Sequence, residues 1–82
     1  MVYYVYLIKT LDNYRTKTYV GYTNNLKLRL KKHNLGTGAK STRGYKWKII
    51  YKKRFYDKRL AMSFEYKLKK DLKKRRYLLS IS

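Results

Sequence analysis

The strongest constraint on the fold is a pair of apolar segments near the start of the chain. Residues 2–8 read VYYVYLI and residues 16–22 read TKTYVGY, and such β-branched and aromatic runs favour β-strands. Asp12-Asn13 lies midway between them. If these two residues form a tight turn, the strands pair antiparallel with Tyr6 directly opposite Tyr19. Any even-numbered loop keeps the two tyrosines on one face of the hairpin, whereas an odd loop or a bulge separates them.

A helix is predicted directly after this hairpin. Thr23 and Asn24 are both suitable N-caps, and Gly36 supplies a stop signal. Between them, two leucines and two basic residues recur with helical spacing on one stripe: Leu26, Arg29, Leu30 and His33. Two cationic side chains one turn apart repel each other, so the basic pair either reaches the rim of the core or converges on an anion.

A third strand is predicted in the second half of the chain. Residues 34–46 are polar and glycine-rich, which indicates a loop. Residues 47–55 read WKIIYKKRF, and this run favours a strand with Trp47, Ile49 and Tyr51 on one face.

A last helix is predicted from Asp57, a suitable cap, to about Arg76. Glu65 projects at the edge of its apolar stripe, and Asp71 falls inside the apolar arc. The stripe repeats every four residues, with Ala61 beside it: Leu60, Phe64, Leu68 and Leu72.

The predicted element order is therefore β-β-α-β-α. This is an α+β fold with a small three-stranded antiparallel sheet flanked by helices. A chain of 82 residues has room for one domain, so residues 1–82 are expected to form a single unit.

The charge balance points to a polyanionic partner. The chain carries 23 Lys and Arg against 4 Asp and Glu, a formal net charge of +19, and such an excess favours binding to nucleic acid or to an anionic membrane surface. Solubility alone is the simpler alternative. The cations concentrate in residues 27–59, which hold 13 of them. No predicted helix pairs a broad apolar face with a free polar one, so the membrane surface is disfavoured.

Composition also limits the kinds of site and the location. With no cysteine and one histidine, disulfides and thiolate metal sites are excluded and histidine-based metal sites are disfavoured, so a metal would need carboxylates. The first ten residues, MVYYVYLIKT, lack the features of a secretory signal, and no apolar run is long enough to span a membrane. A cytoplasmic location is the expectation.

The glycine-rich loop superficially matches a phosphate-binding P-loop, because Gly36–Thr42 reads GTGAKST. A P-loop needs glycine directly before its lysine, a strand before the loop and a helix after it. Here Ala39 precedes Lys40, and the predicted elements come in the opposite order. The glycines, hydroxyls and cations of this region remain suited to a nucleic-acid backbone. The residues predicted to contact it are Lys32, Lys40, Ser41, Thr42, Arg43 and Lys46.

Several short motifs occur in an order and spacing that resembles the GIY-YIG nuclease superfamily: Val5-Tyr6, Tyr19-Val20-Gly21, Asn25-Leu26 leading to Arg29 and His33, and Glu65. The resemblance covers essentially the whole chain. The chain is similar in particular to the small stand-alone branch of the superfamily, whose members show a loop like that from Gly36 to Gly44. Related modules include the N-terminal catalytic module of the excision-repair endonuclease. Tyr4 stands where the name-giving glycine lies.

The resemblance implies a role for each matched residue. Tyr6 and Tyr19 would lie near the attacking water, which leaves open which of them is the base. Arg29 would bind the scissile phosphate, and His33 would assist proton transfer or orient the phosphate. Glu65 would be the protein ligand of Mg²⁺ or Mn²⁺, or, as the simpler alternative, would form a surface ion pair. One carboxylate suits Mg²⁺, which keeps most of its waters.

The sequence therefore predicts a metal-dependent endonuclease that hydrolyses phosphodiester bonds in structured or damaged DNA, as in DNA repair. Little intrinsic sequence specificity is expected, because relatives commonly gain it from appended domains; a partner protein would supply it here. The alternative is a non-catalytic protein that binds DNA or RNA and retains the nuclease fold.

Overall fold

The predicted α+β class is confirmed by a computed structural model, which describes residues 1–11 and 16–82. A three-stranded antiparallel sheet lies between helices on its two faces. Within the described ranges, no helix has the length and hydropathy to cross a membrane. The elements, in chain order, are β1 (Tyr3–Thr10), β2 (Thr18–Thr23), α1 (Leu26–Leu35), a 3₁₀ turn (Lys40–Thr42), β3 (Trp47–Phe55), α2 (Lys58–Lys70) and α3 (Leu72–Ser80).

Strand β1 lies at the centre of the sheet, in the order β2-β1-β3. Four consecutive residues of β1, Val5 to Ile8, are buried, because helices cover both faces of the strand. Val5 and Leu7 pack against α2 and α3. Tyr6 and Ile8 point to the opposite face, where the leucine stripe of α1 packs. The sheet therefore has an α2/α3 face and an α1 face.

The pairing of β1 with β2 differs by two residues from the prediction. Tyr6 lies opposite Gly21, and Ile8 lies opposite Tyr19. The predicted direct pairing of Tyr6 with Tyr19 was therefore wrong. The observed register places a glycine opposite Tyr6, whose ring occupies the space that a side chain at position 21 would fill. An even shift preserves the face, so both tyrosines still lie on the α1 face. The predicted turn at Asp12-Asn13 lies outside the described residues.

A β-bulge interrupts the pairing of β1 with β3. Leu7 pairs with Tyr51 and Ile8 pairs with Ile49, so Ile50 is the extra residue. Trp47 and Ile49 consequently lie on the α1 face, while Tyr51 packs on the α2/α3 face. The prediction that Trp47, Ile49 and Tyr51 share one face was therefore wrong for Tyr51.

The N-cap of helix α1 lies one or two residues later than the predicted caps Thr23 and Asn24. The side chain of Asn25 accepts from the backbone N–H of Leu28 at 3.1 Å and is the N-cap. Thr23 accepts from the backbone N–H of Asn25 instead, at 3.1 Å, and so belongs to the turn before the helix. Gly36 ends the helix as predicted, with a left-handed φ of 80°.

The single helix predicted up to Arg76 is in fact two helices. Asp57 caps α2 as expected, accepting from the backbone N–H of Arg59 at 2.7 Å. Asp71 ends α2 and caps α3, accepting from the backbone N–H of Lys74 at 3.0 Å. A carboxylate inside the apolar arc is thereby explained, because the helix breaks at that residue and its side chain serves as a cap.

The break also changes which residues of the predicted stripe are buried. Ala61 and Leu68 are buried, and Phe64 packs against the same cluster. Leu60 and Leu72, the first and last residues of the predicted stripe, are instead exposed, at 60% and 48%. Leu60 lies in the first turn of α2 and Leu72 in the first turn of α3.

Candidate active site

Four of the side chains predicted to act in catalysis meet on the α1 face of the sheet. Tyr6 extends from the central strand and Tyr19 from its neighbour β2. Arg29 and His33 lie one turn apart on α1, on the stripe that also carries Leu26 and Leu30. The even register of the hairpin and the 3.6-residue period of the helix therefore bring these four residues together.

The hydroxyl of Tyr6 is the centre of the cluster. It lies 2.8 Å from Nε2 of His33, and Nε of Arg29 donates to it at 3.3 Å. The side chain is nearly inaccessible, with 2% of its surface exposed. The Tyr6 hydroxyl thus lies between the imidazole of His33 and the guanidinium of Arg29.

Tyr19 completes an aromatic cluster around His33. Its ring centroid lies 5.1 Å from that of His33 and 6.5 Å from that of Tyr6. Tyr6 and His33 meet edge to face at 5.8 Å, a favourable arrangement for aromatic rings. Tyr19 is only partly buried, so it is the more accessible of the two tyrosines.

The environment keeps Tyr6 protonated. Burial raises the pKa of its phenol from 10.0 to about 12, and Tyr19 and Glu65 add to this rise, although the hydrogen bond and charge of Arg29 oppose it. The Tyr6 phenol is therefore neutral at pH 7 in the unliganded protein. Its proton must be accepted by a neighbouring group before it can take one from water.

The environment keeps His33 neutral. Burial lowers the pKa of its imidazole from 6.5 to about 4, and the charge of Arg29 adds to this effect. The hydrogen bond from Arg29 to Tyr6 in turn raises the pKa of the guanidinium. The repulsion expected between two cations on one stripe is thus avoided, because only Arg29 carries a charge at neutral pH.

The glycine-rich loop packs against the far side of the His33 ring. Nδ1 of His33 lies 2.8 Å from Oγ1 of Thr42, which donates to the carbonyl of Ala39 at 2.8 Å. The indole N–H of Trp47 donates to the carbonyl of Thr42 at 3.0 Å. These contacts tie the loop to both α1 and β3.

Thr42 does not fit its predicted contact with nucleic acid. Its side chain is fully buried and is occupied by His33, so that prediction was wrong for this residue. The loop turns Thr42 inward, because the 3₁₀ turn at Lys40–Thr42 places it beneath the helix. The other predicted nucleic-acid contacts are exposed on the surface: Lys32, Lys40, Ser41, Arg43 and Lys46.

Two glycines are needed for this packing, a role that was not predicted for them. A Cβ at Gly21 would lie 2.6 Å from Cζ of Tyr6, and a Cβ at Gly38 would lie 2.6 Å from Nδ1 of His33. Both distances are far below van der Waals contact, so no larger residue fits without moving the site. Their positions in the YVG and GTG motifs were the available signal.

Asn34 is a further positioning residue that the sequence analysis missed. Its side-chain oxygen accepts from the backbone N–H of Trp47 at 2.6 Å, and its amide donates to the carbonyl of Trp47 at 3.3 Å. This two-point contact joins the last turn of α1, next to His33, to the first residue of β3. An asparagine at the end of a helix is common, so nothing local distinguished it.

Glu65 lies on α2, outside the hydrogen-bonded cluster, and its negative charge makes the smallest contribution to the raised pKa of Tyr6. Its side chain is 17% exposed and pairs with Lys69 at 3.5 Å, one turn further along the helix. The simpler alternative, an ion pair with a nearby lysine, is thus realised. Because the Lys69 side chain is 51% exposed, it can turn away into solvent, which leaves the Glu65 carboxylate usable as a ligand.

The donor set fits a weakly held magnesium ion. In residues 1–11 and 16–82, no group of three or more His, Cys, Asp or Glu side chains converges. A site with a dedicated cage of protein ligands is therefore absent from these ranges. Mg²⁺ suits one partly buried carboxylate, because it takes its remaining ligands from water and substrate phosphates.

An open cleft beside Arg29 offers space for a substrate. Its volume is about 480 Å³, and Arg29, Lys32 and Lys58 supply positive charge along it. Tyr3 and Tyr22 form part of its wall. Arg29 therefore faces Tyr6 through Nε and also borders the cleft, between the buried part of the site and solvent.

Comparisons with known proteins agree on one relationship. The model of the GIY-YIG catalytic domain matches residues 2–78. A UPF0213 protein of Oceanobacillus iheyensis is 44% identical over 68 residues, covering 82% of this chain and 76% of the relative. The UPF0213 protein YazA of Bacillus subtilis is 40% identical over 77 residues, covering 93% and 75%. The solution NMR structure of a UPF0213 protein from Bacillus halodurans has a TM-score of 0.54 and 35% identity, covering 100% of this chain and 86% of that one.

Proposed function

Since this chain belongs to the GIY-YIG catalytic domain family, a family of nucleases, we propose that it is a divalent-metal-dependent endonuclease that hydrolyses phosphodiester bonds in DNA. The observation that carries the proposal is the position of the Tyr6 hydroxyl, between Nε2 of His33 and Nε of Arg29. Hydrolysis needs a base for water and a cation for the phosphate, and both are within reach of this one hydroxyl.

Tyr6 is the general base of the proposed reaction. A neutral phenol is a poor base by itself, but the Tyr6 hydroxyl has His33 within hydrogen-bond distance, and a neutral imidazole can accept its proton. Tyr6 can then take a proton from the attacking water as it gives its own to His33. Tyr19, which is more accessible, orients that water.

Arg29 binds the scissile phosphate. Its Nε–H is occupied by Tyr6, and the remaining N–H groups of a guanidinium form a planar fork that matches two phosphate oxygens. Its place at the border of the cleft puts that fork where a phosphate would enter. The same side chain thereby couples phosphate binding to the orientation of the base.

Glu65 would hold the divalent cation, Mg²⁺ or Mn²⁺, after releasing Lys69. When bound, such a cation neutralises charge on the phosphate and lowers the pKa of coordinated water. The positive charge of that cation would favour deprotonation of Tyr6, whose phenol responds weakly to the charge of this carboxylate.

Binding in this proposal is electrostatic and little dependent on sequence. The net charge of +19 and the exposed cations of the loop favour contacts with phosphates, which position a nucleic acid without reading bases. Structured or damaged DNA in a repair setting is the proposed substrate, and a partner protein would add specificity.

Glu65→Gln tests the proposal. The substitution is nearly isosteric, and it removes one negative charge from a strongly basic protein, so affinity for DNA is expected to stay equal or rise. Cleavage of labelled single-stranded, duplex, flap and junction DNA with Mg²⁺ or Mn²⁺ is expected to disappear. Asp57→Asn is the matched control: it removes the same charge from the same helix, and asparagine still caps, so cleavage is expected to persist.

The outcomes separate the enzyme from its alternative. Metal-dependent cleavage by the wild-type protein and by Asp57→Asn, lost in Glu65→Gln with affinity retained, would establish the nuclease. Equal cleavage by Glu65→Gln would show that the metal ligand is assigned wrongly. If the wild-type protein binds every substrate and cleaves none, the non-catalytic nucleic-acid-binding protein becomes the better description.

A further inference from the structure

A continuous chain of hydrogen bonds leads from the glycine-rich loop to the Tyr6 hydroxyl. Oγ1 of Thr42 lies 2.8 Å from the carbonyl of Ala39 and 2.8 Å from Nδ1 of His33. Nε2 of His33 lies 2.8 Å from the Tyr6 hydroxyl, which accepts from Nε of Arg29 at 3.3 Å. The two ends of the chain are fixed, because a carbonyl can only accept and a guanidinium can only donate.

One assignment of the protons gives each donor in this chain an acceptor. Thr42 donates to Ala39, so its oxygen accepts from Nδ1–H of His33. Nε2 then has no proton and accepts from the Tyr6 hydroxyl, whose oxygen accepts from Arg29. His33 is thus in the Nδ1–H form.

The same count of donors and acceptors disfavours the opposite tautomer of His33, the Nε2–H form. If Thr42 donated to Nδ1, then Nε2–H of His33 and Nε–H of Arg29 would both donate to the Tyr6 oxygen. Neither His33 nor Arg29 could then accept the proton of the Tyr6 hydroxyl. A buried donor without an acceptor costs about 1–3 kcal/mol, so burial of Tyr6 and His33 selects the first assignment.

The loop holds Thr42 where it can make this selection. Its backbone N–H donates to the carbonyl of Ala39 at 3.1 Å, and its own carbonyl accepts from the indole of Trp47 at 3.0 Å. The absence of a side chain at Gly38 lets the loop lie against the His33 ring. Thr42 and His33 are both fully buried, so water does not replace the threonine hydroxyl.

Resting on the proposed function, we propose that Thr42 is a positioning residue that holds His33 in the Nδ1–H tautomer, so that Nε2 is free to accept the Tyr6 proton during catalysis. In that step an O–H bond of water breaks and its proton bonds to the Tyr6 oxygen. The original O–H bond of Tyr6 breaks as a new N–H bond forms at Nε2 of His33. The freed electron pair of the water oxygen forms the bond to phosphorus as the bond from phosphorus to the leaving ester oxygen breaks, and that oxygen keeps the bonding electron pair and takes a proton from solvent.

The test uses Thr42→Val, which keeps the shape of threonine, removes its hydroxyl and leaves the backbone bond to Ala39 in place. Nitrogen-15 NMR of the unliganded protein reads the tautomer directly, because His33 is the one histidine of the chain. The wild type is expected to show an unprotonated Nε2, and Thr42→Val a tautomer population shifted towards Nε2–H, because its Nδ1–H has lost its acceptor. Thr42→Ser restores the hydroxyl and is expected to show the wild-type pattern.

Kinetics supply the second readout. Thr42→Val is expected to lower kcat by about 10–100-fold, because it removes proton acceptance by His33, with KM unchanged. Thr42→Ser is expected to retain most of the turnover. Thr37→Val is the matched control in the same loop, since the exposed Thr37 hydroxyl donates to the carbonyl of Lys32 at 3.4 Å and, among the residues that the structure describes, makes no side-chain hydrogen bond to the site.

Each outcome bears on the proposal separately from the nuclease assignment. A wild-type protein with a protonated Nε2 overturns it, even if Thr42→Val fails to fold. Equal tautomers and equal kcat in the wild type and Thr42→Val also overturn it. If the wild type cleaves nothing, the proposed function fails, and the catalytic part of this proposal fails with it, while NMR still decides whether Thr42 sets the tautomer.

Discussion

Gly21 lies against the ring of Tyr6 so closely that a Cβ there would come within 2.6 Å of Cζ and closer still to the hydroxyl. The two residues are paired across β1 and β2, so neither strand can shift away without breaking the sheet. Tyr6 is also confined by burial. The glycine therefore determines where the proposed base lies.

Gly21→Ala is expected to displace Tyr6 and to break its hydrogen bond with His33. Overpacking of a buried position costs about 1–3 kcal/mol, so chemical denaturation should show a loss of that order in the free energy of unfolding. Cleavage is expected to fall more steeply than stability does, because the base moves. The measurement is turnover at a temperature where circular dichroism shows the variant to be folded.

Gly36→Ala serves as the comparison. Its φ of 80° makes alanine unfavourable, but a Cβ there would meet nothing within 4 Å, so about 1 kcal/mol of stability should be lost with turnover retained in the folded protein. If Gly21→Ala cleaved DNA as well as Gly36→Ala, the fit between Gly21 and Tyr6 would be unimportant for catalysis.

Local signals in the sequence predicted most elements of the fold. Asp57 and Gly36 mark helix ends through their own backbone and side-chain chemistry, which does not depend on the rest of the chain. The bulge at Ile50 could not be predicted in this way, because the extra residue is defined only by the strand that pairs with it. Asp71 was visible as a charge in an apolar arc, and its role as a cap became clear only with the helix break.

The candidate site was predictable to the extent that periodicity determines it. The common face of Tyr6 and Tyr19 and the common stripe of Arg29 and His33 both follow from residue spacing. The contact between His33 and Thr42, which are nine positions apart, does not, because it depends on the path of the glycine-rich loop. The catalytic roles of these residues stay predictions.

Stability is expected to fall in acid because of His33. The pKa of His33 is about 4 in the folded protein and about 6.5 in the unfolded chain. Between these two pH values the unfolded chain therefore binds a proton at this imidazole and the folded protein does not. The contribution is fully present above pH 6.5 and declines as the pH falls towards 4, where about 3 kcal/mol of the free energy of unfolding is lost. Denaturant titrations at several pH values measure it.

His33→Gln isolates this contribution from that of the carboxylates. The variant lacks the titrating group, so its free energy of unfolding should change less than that of the wild type between pH 6.5 and 4. Parallel curves for the two proteins would mean that His33 titrates normally. An NMR titration of the one imidazole gives the folded pKa independently.

Affinity for nucleic acid is expected to fall steeply with salt. The cations concentrate in residues 27–59, and Lys40, Arg43 and Lys46 are exposed in that range. If about 5–8 phosphates are neutralised, log K plotted against log salt should have a slope of roughly −4 to −7. Fluorescence anisotropy with short labelled DNA and RNA measures it, and a slope near zero on both would remove nucleic acid as the partner.

Arg29→Lys separates phosphate chemistry from simple attraction. Lysine keeps the positive charge but lacks the planar fork of the guanidinium. It also lacks the Nε–H group that donates to the Tyr6 hydroxyl at 3.3 Å. Turnover is therefore expected to drop by about 10²-fold or more, while affinity for DNA changes little. Single-turnover cleavage and anisotropy on the same substrate measure the two quantities. Arg59→Lys, on the exposed start of α2, is the matched control and should behave as the wild type. Equal losses in binding and turnover would make Arg29 a docking residue, and a large fall in melting temperature would show that it mainly supports the edge of the core.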